Sequence, residues 1–230
     1  MRLGPHQARP HVSSDHGLLA HHARRVVAGD AIVGTDQGHR IRYSHAHILA
    51  LVSEEDRRHW DERHAEAGIA EVDAGAFASI EHLFPVGGRA LEVACGRGKT
   101  AVWLAARGMY VLGVDVSPVA LDLAGQLAVR NGVADRCRFE VWDLDEGLPP
   151  GQPVDLVVCH MFREPRLDRA LVGRTSPGGL LAVASLSEVG DEPGRFRSRP
   201  GELREAFGDL ELIAEDERDG LAWLLGRKLT

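Results

Sequence analysis

Several things are scarce in this chain of 230 residues, and each scarcity excludes something. There are three cysteines and no C-x-x-C pair, so neither a disulfide framework nor a thiolate metal site is indicated, and reduced thiols in the cytoplasm are the expected state. No apolar run approaches the ~20 residues that a membrane span requires. Basic charge is in deficit: 27 Lys and Arg against 34 Asp and Glu leave a net charge of −7, which argues against a nucleic-acid partner. Tyrosine occurs only twice, at Tyr43 and Tyr110, with no Tyr-x-x-x-Lys pair of the kind some dehydrogenases use. What is present is a composition 44% hydrophobic, sufficient for one enzyme-sized core.

The richest stretch is residues 89–118. Arg89–Val93 reads as a short buried strand, Ala94–Gly98 as a turn of small residues, Thr100–Arg107 as a helix and Met109–Val114 as a second strand, ending on Asp115. Glycines let a backbone approach a ligand closely, and a carboxylate at the tip of the second strand accepts hydrogen bonds from ribose hydroxyls. Gly96-x-Gly98-x-x-Ala101 satisfies a permissive dinucleotide fingerprint. A Walker A loop is excluded, because Val93 stands where its first glycine belongs. Glu92, just ahead of the glycines, would repel a pyrophosphate and attract a sulfonium and an ammonium group.

The segment Glu92-Val93-Ala94-Cys95-Gly96-Arg97-Gly98 resembles motif I, [DE]-x-G-x-G-x-G, of class I S-adenosylmethionine-dependent methyltransferases, with Ala94 in place of the first glycine. Later segments fit the same resemblance. Ser117-Pro118 caps a helix over Val119–Arg130. Cys137–Trp142 and Pro153–Cys159 read as strands, and Ser176-Pro177-Gly178-Gly179 leads into a strand over Leu180–Leu186. Leu210–Glu217 and Leu221–Arg227 flank Arg218-Asp219-Gly220 as a hairpin. The resemblance covers roughly residues 55–230. It implies an α/β fold: a doubly wound, seven-stranded, mostly parallel Rossmann-like sheet with a C-terminal antiparallel hairpin. It also implies S-adenosylmethionine as cofactor. Ala94, Cys95, Gly96 and Gly98 would line its aminoacyl and sulfonium end, with the charge of Glu92 nearby. Asp115 would accept the ribose hydroxyls, Val116 would lie against the adenine, Asp143 would accept from the adenine amino group, and Leu144 would pack beside it.

Composition marks a boundary near residue 51. Residues 1–51 hold 8 of the 12 histidines and only three acids against six arginines. No apolar h-region precedes a cleavage site, and the histidines lack metal-ligand spacing, so neither a secretory signal nor a metal site is expected. Val52-Ser53-Glu54-Glu55-Asp56 looks like a native start, with a Ser N-cap opening a helix over Ser53–Ala67. Residues 1–51 are therefore expected to be a disordered or irregular extension, and 52–230 the methyltransferase domain. The helix carries Trp60-Asp61-Glu62-Arg63-His64, similar to a W-D-x-R-[YH] sequence of tellurite-resistance and thiopurine-type methyltransferases. That likeness implies a lid in which Trp60 reaches the cofactor, although a packing face looks the same.

The expected activity is methyl transfer to a small molecule. His160, beyond the carboxyl end of the strand Pro153–Cys159, is the candidate base for an oxygen or nitrogen acceptor; a thiol would need none. Cys159-His160-Met161-Phe162 is not the N-P-P-Y type used on DNA adenine. The acceptor is expected among His160, Phe162, Arg163 and the loop carrying Arg195, Phe196, Arg197 and Arg199, although a solvated loop face is the commoner origin of such arginines. Two alternatives stay open: an NAD-dependent oxidoreductase, and a non-catalytic S-adenosylmethionine-binding protein.

Overall fold

The computed structural model describes residues 32–36, 39–43, 45–194 and 197–230, with side chains from Glu54 onward. The chain divides into two compact units, Met1–Leu51 and Val52–Thr230. In the first, β1 (Ile32–Asp36) and β2 (His39–Tyr43) pair antiparallel, Ile32 opposite Tyr43. The rest of the expected irregular extension lies outside the described residues, apart from the opening turns of helix α1 (His45–Ala67). That helix begins eight residues before Ser53. The stretch His45–Val52 holds no glycine or proline to stop it, so Ser53 lies inside the helix instead of capping it.

The second unit is built on one sheet. Its strands are β3 (Arg89–Val93), β4 (Tyr110–Asp115), β5 (Cys137–Val141), β6 (Val154–His160), β7 (Thr175–Ser187), β9 (Glu211–Arg218) and β10 (Leu221–Arg227), in the order β5-β4-β3-β6-β7-β10-β9. The two-residue β8 (Arg197–Ser198) pairs with the end of β7, giving eight strands. Neighbours from β5 to β7 run parallel, and β10 is antiparallel to both β7 and β9. This is the mostly parallel doubly wound sheet the sequence implies. Its β9–β10 turn is closed by Asp219 and Gly220, both at positive φ (51° and 77°), as a tight hairpin of this hand requires.

One element differs in extent. Ser176-Pro177-Gly178-Gly179 is not a turn before β7 but part of it, beside a register shift between Val154 and Leu156 of β6. The carbonyl of Asp155 would lie 2.9 Å from a Cβ at Gly179, so the strands approach closely only because that residue is glycine.

Helices cover both faces. α2 (Lys99–Ala106) and α3 (Pro118–Arg130) lie with the 3-10 segment Gly75–Leu83 in a core containing Phe77, Leu104, Met109 and Leu127. α4 (Asp168–Arg174) and α5 (Glu202–Ala206) contribute Leu171 and Leu203 to the opposite core with Leu91, Val157 and Leu181. Because β3 has β4 on one side and β6 on the other, the chain leaves the sheet in opposite directions at their carboxyl ends. A crevice opens at such a switch point.

Candidate active site

The candidate site begins at the end of β3. The turn after it is tight: Ala94 (φ 52°), Gly96 (φ 51°) and Gly98 (φ 73°) all adopt positive φ. A Cβ on Gly98 would stand 2.7 Å from the Ala124 Cβ, so this glycine lets α2 and α3 pack together. Ala94, where the methyltransferase motif has glycine, holds the left-handed conformation at the usual cost to an L-residue.

Asp115, at the tip of β4, ties the turn to the next helix. Its Oδ2 accepts the Gly96 N–H at 2.8 Å and its Oδ1 the Ser117 N–H at 2.9 Å. Burial pushes its carboxyl upward, opposed by these backbone donors and the charge of His64. Ser117 caps α3 as the sequence indicates, its Oγ accepting from the Ala120 N–H at 3.0 Å.

Glu92 is buried within β3. Burial drives its carboxyl up to about 8, although hydrogen bonds from the Ala101 backbone and the Thr100 side chain oppose the shift. Its Oε2 has no hydrogen-bond partner. A buried orphan acceptor is costly unless something else satisfies it. Cys95 is free and buried, its thiol held well above the ordinary range chiefly by burial and then by Glu92 and Asp115.

The lid helix closes one side. The Ser117 hydroxyl donates to Asp61 Oδ1 at 2.5 Å, and Arg97 donates to the carbonyls of Ala67 and Gly68 at 3.1 and 2.8 Å. Trp60 and His64 stack with centroids 5.8 Å apart, and the His64 ring comes within 3.5 Å of where a Gly96 Cβ would be. Burial lowers the pKa of His64, against the pull of Asp115. Trp60 thus stands one ring removed from the turn. His64 against Gly96 and Asp61 against Ser117 are the nearer contacts. Their place in the W-D-x-R-H sequence was the available signal.

On the far side, Asp143 closes a turn by accepting from the Asp145 N–H at 2.9 Å, and Leu144 packs into the second core. Val116 contributes a backbone N–H to Asp115.

On the acceptor side the candidate residues are engaged in other contacts. The Nε2 of His160 accepts the Ala76 N–H at 3.1 Å, and burial pushes its pKa down to about 4. In this arrangement the Nε2 of His160 is occupied by a backbone donor. Arg163 is equally committed: its guanidinium grips Asp168 at 2.5 and 2.9 Å and donates through Nε to Glu202 at 2.8 Å. Arg197 bonds the Ser187 carbonyl and Asp191, and Arg199 lies 3.5 Å from Glu202. These arginines staple loops, so anion recognition by them loses its support; Arg195 and Phe196 lie outside the described residues. Among the described residues no helix is long and apolar enough to cross a membrane, and no group of His, Cys, Asp and Glu is arranged to hold a metal ion.

Comparison with known proteins agrees with this geometry. Residues 90–176 match the family model described as "Methyltransferase domain". The chain is 31% identical over 166 residues to ribosomal RNA small subunit methyltransferase C of Chromohalobacter salexigens, covering 66% of this chain and 46% of that protein. It is 35% identical over 151 residues to ribosomal protein L11 methyltransferase of Thermus thermophilus, covering 61% and 53%. The chain thus spans about half the length of these relatives. Among solved structures, the DhpI–SAH complex superposes with a TM-score of 0.55 at 22% identity, covering 77% of this chain and 97% of that one. The fold is that of the class I methyltransferases, and residues 90–176 match a methyltransferase-domain family.

Proposed function

We propose that this protein is an S-adenosylmethionine-dependent methyltransferase acting on a small-molecule acceptor. The observation that carries the cofactor half is the buried, unpartnered Oε2 of Glu92 behind the glycine turn. Once deprotonated, Glu92 would repel an anionic cofactor there, whereas a group bearing an ammonium and a sulfonium is attracted by its charge. That disfavours the NAD reading on charge. When bound, S-adenosylmethionine supplies an electrophilic methyl group and departs as a neutral thioether.

The chain's own residues then have three tasks. The turn Ala94–Gly98 presents backbone without bulk, and Glu92 provides negative charge as it loses its proton on binding. The Asp115 carboxylate accepts the backbone N–H groups of Gly96, Ser117 and Val116 and keeps acceptor capacity beyond them, so a ribose hydroxyl can be accepted without disturbing the turn. Val116, Asp143 and Leu144 bound the adenine end. Trp60, Asp61 and His64 on α1 close over the turn and exclude water. Catalysis by this reading is alignment, with no protein base required. The nucleophile is therefore one that reacts without help, such as a thiol or another soft atom.

A small acceptor is supported by the lid lying directly over the glycine turn, as in the resemblance to the tellurite-resistance and thiopurine branch. The free cysteines fit a cytoplasmic location. A ribosomal acceptor is the second reading, favoured by the names of the two curated relatives. Calorimetric titration with S-adenosylmethionine, S-adenosylhomocysteine and NAD tests the cofactor: the first two should bind and NAD should not. Asp115→Ala should weaken S-adenosylmethionine roughly 10- to 150-fold, the equivalent of a charge-assisted hydrogen-bond pair worth about 1.5–3 kcal/mol. Unchanged affinity in a folded variant would refute the assignment. Labelled methyl recovered only in intact protein or RNA of a lysate would overturn the small-molecule half.

A further inference from the structure

We infer that His160 is a positioning residue that clamps the strap 68–77 across the top of the sheet and so sets how firmly the lid helix holds the cofactor. The cofactor half of this rests on the function proposed above. The strap joins α1 to the 3-10 segment Gly75–Leu83 and is tied down at three points. At its start, Arg97 of the glycine turn holds the carbonyls of Ala67 and Gly68. In its middle, Asp73 pairs with Lys99 Nζ at 2.5 Å and also accepts the Gly75 N–H at 2.8 Å. At its end, His160 accepts the Ala76 N–H.

The last tie has the features of a fitted joint. Gly75 sits at φ 56°, and a Cβ there would fall 2.3 Å from His160 Nε2, so the backbone reaches the ring only because the residue is glycine. Phe77, fully buried, tilts against the same imidazole with centroids 5.7 Å apart. An accepting Nε2 places the ring proton on Nδ1, and the charged groups that act on the ring are Asp73 and Lys99. The ties come from the β3–α2 turn, the first turn of α2 and the end of β6. One strap thereby links the cofactor side of the crevice to the acceptor side, and it continues directly into the helix bearing Trp60, Asp61 and His64.

The test uses the full chain with S-adenosylhomocysteine as probe. In His160→Leu, amide exchange at Ala76 and Phe77 should accelerate at least about tenfold, as expected when a buried N–H loses its acceptor. S-adenosylhomocysteine affinity should fall about tenfold through faster dissociation. His160→Gln, whose side-chain oxygen can reach the Nε2 position, should restore both; Gly75→Ala, which pushes on the joint from the strap side, should reproduce both losses. Unchanged strap exchange in His160→Leu would overturn the clamp. So would faster exchange spread evenly over the protein with a lowered Tm and unaltered affinity, since that is a plain packing role. If the wild-type protein bound no S-adenosylhomocysteine, the methyltransferase reading would be the one to fail, and the local exchange pattern would still decide the clamp.

Discussion

Glu92 illustrates how a residue can be legible in the sequence while its consequence is not. Its position ahead of the glycines marks it as the motif carboxylate. Its burial and orphaned oxygen follow only from the packing of β3 between β4 and β6. Those facts make it a proton-linked group. Its folded pKa of about 8 stands above the ordinary 4.5. Below pH 4.5 the carboxyl is protonated in both folded and unfolded chains and costs nothing. Between 4.5 and about 8 the folded protein holds more protons than the unfolded one, so stability falls as pH rises; above that the penalty is constant. Glu92→Gln should therefore raise the Tm of the cofactor-free protein at pH 8 and leave it nearly unchanged at pH 4.5. Binding of S-adenosylmethionine to wild type at pH 7 should release protons, and the variant should lose that release. Calorimetry in buffers of different ionisation enthalpy measures it, and equal release by the two proteins would remove Glu92 from the site. His160 shows the opposite case. Its place at the end of β6 suggested a base, but the partner that occupies its Nε2 is Ala76, 84 residues away in sequence. No local pattern announces such a contact.

Elements were the most legible level. Apolar runs bounded by glycine and acid located β3, β4, β5 and β6 to within a residue or so, and the Ser-Pro start of α3 is what the structure contains. The failures have physical causes. α1 extends back to His45 because helix-forming residues continue past the expected cap. β7 absorbs its Pro-Gly-Gly because a bulge against β6 accommodates it. The arginine-rich stretch reads as a binding loop only while its partners are unknown. Arg163, with its side chain 4% exposed, bridges Asp168 at the start of α4 and Glu202 at the start of α5, holding the exit of β6 against both helices. Removing one partner from a buried ion network typically costs about 3–5 kcal/mol, because the remaining charges are left without compensation. Arg163→Ala is expected to lose about that much in urea unfolding. Glu202→Gln should lose less, since Asp168 still holds the guanidinium. A loss under about 1 kcal/mol for Arg163→Ala would mean the network is solvated and the arginine free for another use.

At the scale of the molecule, the strand order concentrates the chemistry at one end of one sheet. The glycine turn, Asp115, Asp143 and His160 all lie at or just beyond the carboxyl ends of β3, β4, β5 and β6, which adjoin as β5-β4-β3-β6 in the parallel part of the sheet. The lid reaches them from α1 through Asp61, His64 and Ala67, and from Gly68 just beyond it. The division into compact units falls between Leu51 and Val52, inside α1, so a cut at the unit boundary would remove the first turns of a continuous helix. A cut before His45 keeps it whole. We therefore expect a protein beginning at His45 to bind S-adenosylhomocysteine within about threefold of the full chain, a difference under about 0.7 kcal/mol. Its Tm should also stay close to that of the full chain, because the sheet and both cores lie within the second unit. Calorimetry and thermal unfolding of the two proteins side by side measure this. Loss of binding by the shorter protein, with its fold intact by circular dichroism, would show that residues before 45 contribute to the site and would end the view of them as an extension.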